Sequence, residues 1–448
     1  MNYQYPDSHV FYRKLDRRYQ CVVKGEGVYL YDEEGRRYLD AAGGAMVANI
    51  GHGVREIVEA VAAQMAGIAY VNGTTFTNRA AEELAAELAE VLPGSLKFSY
   101  FLCSGSEAIE ASVKLARQYW HERGRQSKWK IISRTPSYHG NTLSALSLSG
   151  REHYRALYQP LLTDFPCIPA PDSYRHPGCG ACTGEVLEQE ILKQGAESVA
   201  AFLAEPIIGS SAGAMVPTKE YYERVAEICR TYDVLFIADE VLTGMGRTGK
   251  WFACEHFQIE PDILVLGKGL SGGYAPLSAV VTREEIVARL AQTSSGFNHA
   301  QTYSHTPVIC AAGLATVRYL KQHKLVERCQ ELERVFFARL SRLKGFGVVG
   351  DIRGKGLLAG IEFVKDPDTK EPFARAEKFA ERVTDAAFRN GLILWPNVGH
   401  VDGANGDIVM LAPPFIIEEE QIAEMVALLE RSLNQVATEA QRHREDRR

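Results

Sequence analysis

No run of apolar residues in this sequence approaches the roughly 18–20 needed to span a bilayer, so no membrane segment is expected. An excess of basic charge is missing too. The formal net charge of −6 argues against nucleic acid or an anionic membrane as the main partner, while leaving room for a local pocket that takes one small anion. Repeats and low-complexity tracts are absent. Met1–Asp7 has neither the basic nor the apolar region of an export signal, so none is expected. The nine cysteines are odd in number and scattered, which points to reduced thiols in a cytoplasm. Cys179 and Cys182 form a CxxC beside His176. No second pair lies at zinc-site spacing, so a loop with free thiols is expected rather than a metal site.

What is present is ordinary for a globular chain: 46% apolar and 24% charged residues, in a length of 448 that allows two or three domains. Helical periodicity marks Ile57–Met65, Ala80–Val91, Ser106–Arg123, Lys219–Tyr232, Glu377–Asn390 and Glu418–Glu439. Short apolar runs alternate with helices at Phe98–Cys103, Lys130–Ser133, Val199–Ala204, Val234–Ala238, Ile263–Leu266 and Leu277–Val281. That alternation predicts an α/β fold with a mainly parallel sheet covered on both faces. Val348–Val364 and Leu392–Trp395 read as strands of a smaller α+β unit, and the hairpin-like Gly27–Gly35 segment can pack with it. The expected division is an N-terminal segment (1–55) packing with the small domain, a large domain (56–325) and a C-terminal small domain (326–448). The charged tail 441–448 is expected to fray.

Ligands in such sheets sit at the carboxyl ends of strands, and four candidate groups fall there. Ser104-Gly105-Ser106-Glu107 opens a helix and offers N–H groups to an anion such as phosphate, or else is an N-cap with a capping-box glutamate. Tyr138, in Ser137-Tyr138-His139-Gly140, can stack on a planar ring or simply pack in the core. Asp239 follows a buried strand and needs a cationic partner, such as a protonated ring nitrogen, or else caps a helix or joins a structural ion pair. Lys268 lies between Gly267 and Gly269 directly after a buried strand. Desolvation would leave its amine a nucleophile near neutrality, although a solvated loop lysine also fits. Together the four describe a site for a planar, phosphorylated aldehyde with a basic nitrogen. Gly244-Met245-Gly246-Arg247-Thr248-Gly249 matches GxGxxG, but no helix pattern starts there, so no dinucleotide site is expected.

With these motifs on the page, the chain resembles the class III (ω-amino acid/amine) aminotransferases, fold-type I pyridoxal-phosphate-dependent enzymes. The likeness runs from Gly25-Glu26-Gly27-Val28-Tyr29-Leu30 to Ala412-Pro413-Pro414 and is most specific between Ala238-Asp239-Glu240-Val241 and Gly272-Gly273-Tyr274-Ala275-Pro276. It implies a large domain with a mainly parallel sheet plus a smaller domain built from both termini. It also implies pyridoxal 5′-phosphate as cofactor, joined to Lys268 as a Schiff base, and no metal. Asp239 would hold the pyridine nitrogen protonated, Tyr138 and Val241 would flank the ring, and Ser104, Gly105 and Ser106 would bind the phosphate. His139 joins the cofactor-binding set, and Glu205 matches a glutamate near the cofactor's phenolic oxygen. Thr302 resembles a threonine that reaches the neighbouring subunit's cofactor phosphate, which implies a homodimer with shared active sites, or a tetramer built from it. The implied reaction is a ping-pong transamination from an ω-amino acid, diamine or other primary amine to pyruvate or 2-oxoglutarate. The alternative on the same scaffold is an aminomutase or amino-acid racemase. Many members carry a mobile arginine before the Pro-Pro stretch that pairs with the acceptor's carboxylate, but Trp395–Asp407 contains none. Gly44-Ala45-Met46 stands where amine:pyruvate transaminases often have a tryptophan, which implies a roomier pocket.

Overall fold

The computed structural model describes residues 3–445, with side chains as far as residue 437. Three antiparallel strands come first: β1 (Val22–Glu26), β2 (Tyr29–Asp32) and β3 (Arg37–Asp40). Gly27 turns between the first two at φ 59°, a conformation that favours glycine. Asp32 Oδ1 closes the second turn by accepting from the N–H groups of Glu34 and Arg36.

The central sheet uses β4 (Leu96–Leu102), β5 (Lys130–Thr135), β6 (Cys167–Pro169), β7 (Val199–Ala204), β8 (Leu235–Asp239), β9 (Ile263–Leu266) and β10 (Ser278–Arg283). Their order is β4-β10-β9-β8-β7-β5-β6, and only β10 runs against its neighbours. Every residue of β7, β8 and β9 is buried, as a sheet covered on both faces requires. Strand alternation divides the core. Leu235 and Ile237 face the helix Gly105–Glu122 with its Tyr119 and Trp120, while Phe236 and Ala238 face Tyr222 and Val225 of the helix Lys219–Thr231.

Beyond these lie β11 (Val349–Lys355), β12 (Leu358–Phe363), β13 (Leu392–Ile393), β14 (Trp395–Val398) and β15 (Asp407–Leu411). Four of them form an antiparallel sheet in the order β11-β12-β15-β14. β13 instead pairs in parallel with β3, joining the first strands to the last part of the chain. The expected strand Val348–Val364 is therefore a hairpin, broken at Gly356 with φ 59°. The last helix runs Glu419–Glu445, so the part of the tail described is helical rather than frayed, and 446–448 lie outside the described residues. Among those described, no helix is long and apolar enough to cross a membrane.

One contact packs β12 tightly against the loop that follows β7. A Cβ added at Gly360 in β12 would collide with the carbonyl oxygen of Gly213, in the loop that follows β7. Gly360→Ala should therefore destabilise by about 1–3 kcal/mol, the usual cost of overpacking, read as a lower denaturant midpoint. An unchanged midpoint would show that the loop yields freely.

Candidate active site

β8 delivers Asp239 at its carboxyl end, 4% exposed. Its Oδ2 lies 2.7 Å from His139 Nδ1, and its Oδ1 accepts from the Val241 N–H at 3.1 Å. A carboxylate acceptor sets the imidazole proton on Nδ1. The His139 N–H donates to Ser149 Oγ at 2.8 Å, which fixes the residue, and its buried Nε2 has no partner. Asp239 thus keeps an oriented carboxylate with a histidine behind it.

β9 ends at Gly267, and Lys268 follows with φ 41° in a short 3-10 turn. Such a φ is strained for a lysine, typically by about 1–3 kcal/mol, and persists only where surroundings impose it. Burial lowers its ammonium to about 8, against the opposing pull of the Asp239 and Glu205 carboxylates. Lys128 is also lowered to about 8 by burial, yet its ammonium donates to the carbonyls of Ala196, Val199, Tyr232 and Asp233. The Lys268 ammonium makes no hydrogen bond or ion pair among the described residues. Lys128 is satisfied by the fold, whereas Lys268 is held for something else.

At the end of β4, Ser104 caps the helix Gly105–Glu122, its hydroxyl accepting from the Glu107 N–H at 3.3 Å. Glu107 Oε2 reaches back to the Cys103 N–H at 2.9 Å. The cap reading is therefore correct, and it leaves the start of the helix open to an anion. The first helical N–H groups, of Gly105 and Ser106, have no intrahelical acceptor and point out at the positive end of the helix. Gly105 also admits Val241: a Cβ there would stand 3.0 Å from Val241 Cγ1, and one at Gly267 would stand 3.2 Å from it. Ser106 Oγ ties this helix to the next loop through the Asn141 N–H at 3.1 Å and Asn141 Oδ1 at 3.0 Å.

Glu205, 5% exposed, follows β7. Its oxygens accept from the Gly209 N–H at 3.1 Å and the Tyr138 N–H at 3.4 Å. Burial raises its carboxyl above the ordinary value, although His139 pulls the other way.

Nine of the ten expected residues line one cavity of about 300 Å³: Ser104, Gly105, Ser106, Tyr138, His139, Glu205, Asp239, Val241 and Lys268. Thr302 does not; it is exposed on a turn. Sequence reasoning missed Val47, Ser210, Thr243 and Ser271 in the wall. These are loop residues without periodicity, and only their position after strands could have flagged them. The segment without arginine forms β14 and a closed loop, in which the Gly399 N–H donates to Gly406 O and the Val401 N–H to Asn405 O. His400 there pairs with buried Glu362 at 3.0 Å. The GxGxxG segment is a run of turns, anchored by Arg247 on the carbonyls of Leu357 and Pro413.

A planar phosphate ester of a pyridine aldehyde fits this donor set: N–H groups for the phosphate, a phenol ring and an isopropyl group for the two faces, a carboxylate for the ring nitrogen and an amine for the aldehyde. The profile of the family Aminotransferase class-III matches residues 11–433. The uncharacterized aminotransferase YodT of Bacillus subtilis is 41% identical over 94% of this chain and 96% of that protein. The putrescine–pyruvate aminotransferase of Pseudomonas aeruginosa is 37% identical over 95% of this chain and 93% of that protein. Among solved structures, the omega transaminase from Pseudomonas jessenii in complex with PMP superposes with a TM-score of 0.90 at 30% identity, covering 96% of this chain and 97% of that one. The protein is a fold-type I, pyridoxal-phosphate-type transferase in architecture and belongs to the class III aminotransferase family.

Proposed function

We propose that the protein binds pyridoxal 5′-phosphate through Lys268 and transfers an amino group from a primary amine, such as a diamine or ω-amino acid, to a 2-oxo acid in two half-reactions. The convergence of Lys268, Asp239, Tyr138, Val241 and the Gly105–Ser106 N–H groups on one cavity carries this reading. When bound, the cofactor supplies an electrophilic aldehyde and a protonated ring that accepts electrons as a carbon–hydrogen bond breaks.

The chain's own residues do the rest. Lys268 would hold the aldehyde and, freed by the donor amine, is placed to take and return the proton. Asp239 would accept from the ring N–H, and His139 keeps that carboxylate aimed. Gly105 and Ser106 would hold the phosphate at the helix mouth, with Ser104 capping the helix. Tyr138 and Val241 would flank the ring, and Glu205 would lie near its phenolic oxygen. Thr302, exposed on its turn, is free to reach the phosphate of a second copy, which supports a homodimer as the working form. The putrescine–pyruvate relative supports a diamine donor and pyruvate as acceptor.

The test is the absorption spectrum of protein reconstituted with pyridoxal phosphate. A visible band should bleach with putrescine alone and return with pyruvate. Because the amine attacks only when neutral, the rate of cofactor attachment should rise as pH increases through about 8. No band would refute the cofactor assignment. A band that bleaches and returns without a 2-oxo acid would favour an aminomutase or racemase.

A further inference from the structure

The acceptor's carboxylate needs a cation, and Trp395–Asp407 holds no arginine. Arg151 is 7% exposed and forms no salt bridge among the described residues. Buried guanidinium groups are normally paired with an anion or committed to carbonyl oxygens. Arg247 donates to two main-chain carbonyls, and Arg134 to that of Glu205 and to two tyrosine hydroxyls. Arg151 differs. Its Nη2 donates to Ser210 Oγ at 3.0 Å, and its buried Nε has no partner. Its guanidinium lies 5.1 Å from the centre of the Tyr138 ring and 5.2 Å from that of Tyr154. Tyr138 and Ser210 are both walls of the cavity.

Arg13, from the N-terminal segment, donates to the Tyr154 hydroxyl at 3.0 Å. Tyr154 thus stands between two guanidinium groups, and these outweigh its burial and lower its phenol below the ordinary value. Glu205 is close enough to attract the Arg151 guanidinium, but its oxygens are engaged by the Gly209 and Tyr138 N–H groups. The Ser210 hydroxyl, having accepted from Arg151, keeps its own proton to donate into the cavity.

Resting on the transaminase reading above, we infer that Arg151, acting with the Ser210 hydroxyl, is the fixed recognition site for the carboxylate of the 2-oxo acid. The site takes a monocarboxylate such as pyruvate: one buried cation with one hydroxyl matches one carboxylate.

The experiment compares the two half-reactions of the holoenzyme and of the variants Arg151→Gln and Ser210→Ala. In Arg151→Gln the pyruvate concentration that restores half the visible band should rise about ten- to a hundredfold, the size of a lost hydrogen bond to a charged group. The rise should exceed any change in the putrescine concentration that bleaches half of it. Acetate, a carboxylate with no carbonyl to aminate, should compete with pyruvate in the wild type and much more weakly in the variant. Should Arg151→Gln fail to fold, Ser210→Ala decides, with a rise of several-fold expected. A pyruvate requirement unchanged in the folded variants, or raised no more than the putrescine requirement, overturns the inference. If the wild-type band neither bleaches with putrescine nor returns with pyruvate, the transaminase reading itself fails.

Discussion

Lys268→Ala is expected to retain the fold while losing covalent cofactor attachment and at least about 10⁴-fold in turnover, the upper range for a proton-transferring group that is also the nucleophile. Stability should change little, because the Lys268 ammonium makes no hydrogen bond or ion pair among the described residues and sits at a φ of 41°. Removing it deletes a partly desolvated cation from beside Asp239 and Glu205, a modest loss set against relief of a desolvated charge. Borohydride reduction followed by whole-protein mass measurement is the direct check. Wild-type protein should gain the cofactor's mass and the variant should not. A variant that still carries a reducible link would move the role to another amine.

Asp239→Asn preserves size and removes only the charge. The amide would leave His139, whose side chain is fully buried, facing a partner that no longer holds its Nδ1 proton firmly. Removing one member of a buried charged pair typically costs about 3–5 kcal/mol. If that loss falls on the electron-accepting form of the ring, turnover drops between about a hundredfold and a few thousandfold. The visible band should still form, since the amine is intact. There is a second signature. Asp239 raises the Lys268 ammonium, so in the variant the pH dependence of cofactor attachment should move below about 8. Wild-type rates and an unmoved profile would remove Asp239 from the chemistry.

Two of the cavity's lining residues were legible in the sequence because they sit where strand periodicity stops. Asp239 and Lys268 are charged residues directly after runs that are apolar at every position, and no packing argument accounts for them. The helix Pro307–Gln322 was not legible. It is buried on most of its surface, through Ile309, Cys310, Ala312, Thr316, Val317 and Leu320 among others, so it shows no polar stripe to betray its period. β6 escaped notice because three residues ending in proline cannot announce a strand, and β15 because its apolar run reads equally as loop or core. Arg151 was illegible for a different reason. Its neighbours Tyr138 and Ser210 meet it only through the fold, and an arginine after a glycine reads as solvated surface until its burial is known.

The pairing of β3 with β13 has a consequence for how the protein is made. On the ribosome, β3 emerges about 350 residues before its partner β13. For most of synthesis its outer edge therefore offers unpaired N–H and C=O groups to any other extended chain. The nascent chain cannot close this edge locally and depends on late sequence to do so. Truncation before Leu392 would leave the strand open permanently, turning a loss of C-terminal residues into a liability at the N-terminus.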